Sequence, residues 1–260
     1  MNIRSPAVAG RFYHDSPQQL DHQLSQWLTA IPDVLPLKAL IVPHAGYVFS
    51  GKVAAEAYQY LKATADQFER VVLVGPSHHF GFNGVAVPEA DYFATPLGNV
   101  SIDKEHVEAL SQHPMVQVSD HMHDSEHSLE VQIPFLQCCL KHFTLLPIVY
   151  SRINSDQLAD LVDTLWHDDS TLLVVSTDLS HFHTYSEACA LDGDTCQRIQ
   201  SFDASITPHE ACGATGVNML LKLARQRNYR LTQIDYKNSG DTGGNKNRVV
   251  GYVSYLICAV

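Results

Sequence analysis

The stretch Val71-Val-Leu-Val-Gly-Pro-Ser-His78-His79 joins an uninterrupted apolar run to a pair of histidines. A short run with no polar interruption is typical of a strand that is buried on both faces, as in a sheet covered by helices. The same pattern recurs in Ala39-Leu-Ile-Val-Pro-His44-Ala-Gly-Tyr47 and in Leu172-Leu-Val-Val-Ser-Thr-Asp178-Leu-Ser-His181-Phe-His183. Each run is therefore predicted to be a buried strand that is followed, at its carboxyl end, by histidine or aspartate.

Amphipathic segments separate these strands along the chain. One helical face is formed by Leu158, Leu161, Val162, Leu165 and Trp166. Residues 129–140 are predicted to form one helix. A capping box from Thr207 to Glu210 predicts the start of another helix. Two closing strands, residues 231–236 and 249–257, are predicted to pair antiparallel. The alternation predicts an α/β fold of one domain over residues 1–260, with a mixed, mostly parallel central sheet flanked by helices.

Composition narrows the class of protein. The 260 residues are 45% apolar and 17% charged, which excludes a disordered chain. The formal net charge of −11 argues against a general nucleic-acid binder. No apolar run is long enough for a membrane span, no signal peptide is visible, and the six cysteines form no C-x-x-C pair. These features predict a reduced, cytoplasmic protein.

The histidines indicate a site at the strand ends. If the three strands run parallel, their loops open onto one crevice outside the carboxyl ends, which is where α/β sheets bind ligands. His44, His78 and His181 would then share a pocket with Asp178, and imidazole suits iron, copper, zinc or nickel. A lone histidine at a strand end is usually only a hydrogen-bonded residue, but three in the same topological place favour a shared site.

Two further segments have both a structural and a functional interpretation. The cluster His121-Met-His123-Asp-Ser-Glu126-His127-Ser-Leu-Glu130 precedes a predicted helix with Ser128 as its N-cap, so its charged residues either cap the helix or line the pocket. Cys212 lies before Gly213 in a stretch where glycines interrupt the helical pattern. It is either a small buried apolar residue or a thiol that faces a cavity.

Taken together and in order, five motifs resemble the MEMO family, whose prokaryotic branch is called AmmeMemoRadiSam system protein B: Pro43-His44-Ala-Gly-Tyr47, Gly75-Pro-Ser-His-His79, Asp124-Ser-Glu-His-Ser128, Ser176-Thr-Asp-Leu-Ser-His181 and Cys212-Gly213. The N-terminal Ala7-Val-Ala-Gly-Arg-Phe-Tyr13 and the Asn238-Ser-Gly-Asp-Thr-Gly-Gly244 segment also fit this family. The family is similar in fold to the class III extradiol ring-cleaving dioxygenases. The resemblance therefore implies an α/β domain with a pocket at the strand ends.

The resemblance also implies site residues and a cofactor. The metal ligands would be His44, His78 and Cys212, and Fe(II) is the expected ion, with Cu or Zn as alternatives. Asp178 and His181 would lie beside the metal, and a thiolate ligand is softer and more readily oxidised than the carboxylate of the dioxygenases. His79 and His127 would line the pocket, and these two with Asp178 and His181 form the predicted catalytic set.

Several functions stay open at this point. The first is a metal-dependent oxidoreductase of the extradiol type, with His181 as general acid or base. The second is a metal-binding protein without turnover, and the third is a module that binds a small molecule or peptide in the pocket. The resemblance further implies an AMMECR-type protein and a radical-SAM enzyme as partners. A zinc hydrolase built on His78, His79 and Asp178 is a fourth alternative.

Overall fold

The computed structural model describes residues 1–29, 31 and 34–260. Its strands are β1 (Ile3–Arg4), β2 (Leu37–Val42), β3 (Arg70–Pro76), β4 (Val85–Val87), β5 (Tyr92–Thr95), β6 (Gly98–Ser101), β7 (Val116–Val118), β8 (Thr144–Tyr150), β9 (Thr171–Ser176), β10 (His181–His183), β11 (Arg230–Asn238) and β12 (Val249–Cys258). Its α-helices are α1 (Pro17–Trp27), α2 (Lys52–Tyr58), α3 (Lys104–Ser111), α4 (His127–Glu130), α5 (Ile133–Cys139), α6 (Ser155–Asp163), α7 (Tyr185–Gln200) and α8 (Ala214–Gln226).

The large sheet has parallel strands at its centre and antiparallel strands on both sides. Its order is β10-β12-β2-β9-β3-β8-β4-β7, and β11 pairs with β12. β2, β9, β3 and β8 are mutually parallel, whereas β12 is antiparallel to β2 and β4 is antiparallel to β8. The predicted α/β class with a mixed, mostly parallel central sheet is confirmed, as is the antiparallel pairing of the two closing strands.

Helices cover both faces of the central strands. Val175 and Ser176 are consecutive in β9, so their side chains point to opposite faces. Val175 lies against Gly216 of α8, whereas the Ser176 hydroxyl bonds to residues of α4 and of the turn before α5. All residues of β2 and β9 are buried, which explains the apolar runs 39–42 and 172–175 within them. The carboxyl ends of β2, β3 and β9 therefore share one edge of the sheet.

A small three-stranded sheet, in the order β1-β5-β6, holds the N-terminus near this edge. Arg4 of β1 forms a buried ion pair with Glu130 of α4, with 2.6 Å between Nη1 and Oε2. The second carboxylate oxygen of Glu130 accepts hydrogen bonds from the Val8 amide and the Tyr13 hydroxyl. Arg4 also donates through Nε and Nη2 to the carbonyl oxygens of His123 and Glu126, so this buried pair fixes the short helix α4 to the N-terminal segment.

Two helix predictions are wrong in detail. The helix predicted over residues 129–140 is divided into α4, which ends at Glu130, and α5, which begins at Ile133 with Pro134 as its second residue. The Glu210 carboxylate accepts hydrogen bonds from the Thr207 amide and hydroxyl, so only one of the two predicted capping-box bonds forms, and only a turn follows. The next helix starts at Ala214, because the backbone at Cys212 and Gly213 bonds to the residues that follow β9.

Candidate metal centre

Three histidines meet at the carboxyl edge of the parallel strands. His44 follows β2, His78 follows β3, and His127 is the first residue of α4. One ring nitrogen from each lies within 4.8 Å of the other two. His44 is buried, while His78 and His127 are accessible to solvent in part. The three rings can therefore hold one ion that still has a side open to a ligand.

The hydrogen bonds of His44 determine which of its nitrogens carries the proton. The Ser176 hydroxyl donates to the carbonyl oxygen of Ser128 (2.6 Å) and accepts from the Gln132 amide (3.0 Å). Its remaining contact is with Nδ1 of His44 at 2.9 Å, where it must accept. Nδ1 of His44 therefore carries the hydrogen, and the lone pair of Nε2 is available for a metal.

A single carboxylate orients the other two rings. Glu126 accepts from the backbone N–H of His78 (2.6 Å), from His78 Nδ1 (2.9 Å) and from the Ser128 N–H (2.9 Å), and its Oε1 lies 3.4 Å from Nδ1 of His127. Burial alone would raise the pKa of Glu126, but hydrogen bonds and charge interaction with His78 outweigh it and hold the pKa at about 2. The ionised carboxylate fixes Nδ1 of His78 as a donor and leaves the lone pair of Nε2 available to a metal.

The pKa values of two of these histidines are lowered, which leaves their rings uncharged. Burial, followed by the neighbouring His78, holds the pKa of His44 well below its usual range. Burial and the neighbouring His44 and His78 lower the pKa of His127 to about 4. Both rings are neutral at physiological pH, which is the form that binds metals.

Cys212 lies next to this group but is not one of its three members. Its Sγ is 3.2 Å from Nε2 of His44 and accepts the Asp178 N–H at 3.3 Å. Burial, with the charge of Asp178, raises the pKa of the thiol to about 12. Two members of the predicted ligand set, His44 and His78, belong to this group together with His127, and the thiol of Cys212 lies beside it on the side of His44.

Gly213 lets the thiol approach this closely. A Cβ atom at residue 213 would lie 2.5 Å from Cβ of Thr177 and 2.6 Å from the carbonyl oxygen of Ser176. The amide of Gly213 also donates to the Thr177 hydroxyl at 2.8 Å. The segment before α8 is therefore held directly against the end of β9.

Asp178 and His181 face a cavity beside the three histidines. The cavity measures about 380 Å³, and its walls include His127, Asp178 and His181. Asp178 is buried and accepts the backbone N–H of His44 at 2.8 Å, and burial raises its pKa. The two residues therefore share this cavity with His127.

Two other histidines of the predicted clusters lie outside the group. His79 is exposed, and its ring centroid is 6.3 Å from that of His127. His123 is buried and bonds through Nε2 to the carbonyl oxygen of Ala86 at 3.1 Å. Of the two interpretations of His123, the structural one describes its contacts.

Sequence reasoning did not identify the residues that orient the rings. The sequence pattern places Glu126 among residues that either cap a helix or line the pocket, and in the structure Glu126 caps α4 in place of the predicted Ser128. Ser176 and Gln132 were not singled out, although both are buried and hydrogen-bonded at the centre. A buried polar residue directly at the end of an apolar strand, such as Ser176, is the signal that could have indicated this role.

The fold and the site define an α/β protein with a three-histidine group suited to a metal ion at the carboxyl ends of parallel strands. Residues 4–256 match the family model described as Memo-like protein, so the chain belongs to the Memo family. It is 32% identical to a MEMO1 family protein of Aquifex aeolicus, over 98% of this chain and 99% of that protein. It is 31% identical to a MEMO1 family protein of Sulfolobus acidocaldarius (97% and 98% coverage) and 30% identical to one of Methanosarcina mazei (99% and 100%).

No helix in the described ranges is both long enough and apolar enough to cross a membrane.

Proposed function

We propose that this protein binds one transition-metal ion through Nε2 of His44, His78 and His127. We further propose that it uses the ion for redox chemistry on a small molecule held in the adjacent cavity. The observation that carries the proposal is the convergence of three ring nitrogens within 4.8 Å, on histidines whose Nδ1 atoms face Ser176 or Glu126. Partners of this kind are typical of metal-bound histidines.

Fe(II) is our first candidate for the ion, with Cu and Zn as alternatives. Neutral imidazoles bind all three metals. Three protein ligands leave coordination positions for a substrate, which a catalytic site needs and a closed structural site does not have. A bound transition metal would supply Lewis-acid and electron-transfer chemistry. The proposal of extradiol-type chemistry on catechols or related diols rests on the family resemblance.

Asp178 and His181 would serve the ligand rather than the ion. Asp178 fixes the backbone of His44 through the 2.8 Å hydrogen bond and presents its carboxyl group to the cavity. His181 lies on β10 in the same wall, and an imidazole can accept or donate a proton near neutral pH. We assign to His181 the transfer of a proton to or from the ligand, and to Asp178 the positioning of the His44 loop.

The position of Cys212 favours a second candidate function, metal handling without turnover. A thiol 3.2 Å from Nε2 of His44 is close enough to become a fourth ligand, and sulfur favours Cu(I). The predicted AMMECR-type and radical-SAM partners would belong to such a role as well as to the enzymatic one, and they stay predictions of the resemblance.

Metal analysis after anaerobic purification tests the proposal. The wild type is expected to retain about one ion per chain, and His44→Ala is expected to lose it, because three-ligand sites bind weakly once one ligand is removed. His142→Ala, at an exposed histidine, is the control. Equal metal content in wild type and His44→Ala would contradict the proposal.

Oxygen uptake with a panel of catechols separates the two functions. Turnover that is lost in His181→Gln while the metal content is kept supports the enzyme. Metal binding without turnover on any diol, together with loss of Cu(I) in Cys212→Ser, supports metal handling.

A further inference from the structure

The cavity beside the three histidines has an arginine at its wall that has no acidic partner. Within the described part of the chain, no carboxylate lies at ion-pair distance from Arg248, and its guanidinium makes no hydrogen bond there. Arg4, Arg70, Arg198 and Arg227 each pair with a carboxylate, whereas Arg248 is one of several arginines that make no such pair within the described residues, and it is exposed to solvent. Arg248 lines the cavity together with His127 and His181, so its five N–H donors are available to a ligand.

The guanidinium is held in place by an aromatic ring. Its Cζ lies 4.2 Å from the ring centroid of Phe182, a distance typical of a cation–π contact. Phe182 is 59% exposed and has a φ of +68°, which is unfavourable for a bulky side chain. Such backbone strain persists where the surrounding structure imposes it, and it concentrates at ligand-binding sites.

The backbone under Arg248 is also well ordered by hydrogen bonds. The amide of Arg248 donates to the Asn245 carbonyl at 3.1 Å, and the amide of Gly244 donates to the Ser239 carbonyl at 2.7 Å. The amide of Val250 donates to the Ser239 hydroxyl at 3.1 Å. The backbone that carries Arg248 is therefore fixed before a ligand binds, and the turn does not have to be ordered on binding.

Aromatic residues form part of the remaining wall, which also includes Asp178 and several small residues. Phe12, Phe49, Phe182 and Tyr252 contribute their rings to a cavity of about 380 Å³, enough for a small planar molecule. The chain as a whole carries a net charge of −11 and repels anions, so a local cation has to supply the attraction for an anionic ligand. One arginine matches one negative charge, and its planar fork fits a carboxylate.

We propose that Arg248, positioned by Phe182, is a specificity-determining residue that binds the carboxylate of an aromatic carboxylic acid in this cavity. The inference names the ligand class of the proposed function and rests on it for the location of the site. It does not depend on the metal, because binding can be measured in the metal-free protein.

The test is titration of the full-length, metal-free protein with benzoate, benzamide and phenyl phosphate. Wild type is expected to bind benzoate about tenfold more tightly than neutral benzamide, the difference that one charge-assisted contact provides. Arg248→Gln is expected to bind benzoate about tenfold more weakly while its affinity for benzamide is unchanged. Arg225→Gln, an exposed arginine in the last turn of α8, is the matched control and is expected to behave as wild type.

Three results would overturn the inference: equal affinity of wild type for benzoate and benzamide, unchanged benzoate affinity in Arg248→Gln, or no binding of any probe at millimolar concentration. Phenyl phosphate binding more tightly than benzoate would also overturn it, because the site would then select a phosphate. Metal content measured on Arg248→Gln separates the two proposals, since it is expected to equal that of wild type even where benzoate binding is lost.

Discussion

Glu126→Gln is predicted to weaken metal binding by about 10- to 100-fold without unfolding the protein. The carboxylate accepts three hydrogen bonds, two from His78 and one from Ser128, and lies 3.4 Å from Nδ1 of His127. It thereby orients two of the three metal-binding rings. A glutamine has one acceptor oxygen, and its amide group would face an N–H donor. At least one ring would therefore lose its fixed orientation.

The magnitude follows from the hydrogen bonds that are lost. A bond to a charged group contributes about 1.5–3 kcal/mol, and the exposed ring of His78 can replace part of this with water. Losing one such bond would weaken metal binding by about 1.4–2.8 kcal/mol, which corresponds to a 10- to 100-fold higher dissociation constant.

Competition between the metal-free protein and a chelator for Co²⁺ at pH 7 measures the effect directly. Glu108→Gln removes the same charge from an exposed position in α3 and is expected to keep the wild-type affinity. Urea unfolding of both variants shows that the fold is retained. If Glu126→Gln binds Co²⁺ as tightly as wild type, the carboxylate does not orient the ligands and the reasoning is refuted.

Three further substitutions test the structure around the site. Burial, followed by the charge of Arg4, lowers the pKa of His123 from 6.5 to about 4, so the unfolded chain takes up this proton first. Through this one histidine, the free energy of unfolding falls by about 3 kcal/mol as the pH drops from 6.5 towards 4. In urea unfolding series, His123→Gln should therefore show a weaker dependence of this free energy on pH. An equally steep slope in the variant would rule His123 out as its source. Gly213→Ala should cost more than 1 kcal/mol of unfolding free energy, since its Cβ would lie 2.6 Å from the carbonyl oxygen of Ser176. Gly193→Ala, which has open space inside α7, should instead gain about 1 kcal/mol, and equal effects of the two glycine changes would contradict this packing.

The fold could be predicted because its central strands are buried on both faces. In a chain of alternating strands and helices, an unbroken apolar run such as Val71–Val74 is best explained as a strand that is buried on both faces. Parallel strands necessarily bring their carboxyl ends to one edge of the sheet. Local capping was less informative. Glu210 accepts the Thr207 amide as a capping box requires, yet long-range packing of Gly213 against the end of β9 decides where the helix begins.

The candidate site could be predicted only in outline. His44 and His78 follow strands, so topology alone places them together. His127 begins a short helix whose position depends on the buried pair of Arg4 and Glu130, residues 126 positions apart in the chain. No local pattern encodes that contact, so the residues alone could not indicate that His127 joins His44 and His78.

X-ray absorption at the metal edge of the anaerobically purified protein tests the central claim most directly, since it counts the ligand atoms of the bound ion. The account predicts three imidazole nitrogens, with one fewer in each of His44→Ala, His78→Ala and His127→Ala wherever metal is retained. A spectrum without histidine scattering, or one that is identical in wild type and all three variants, would contradict it.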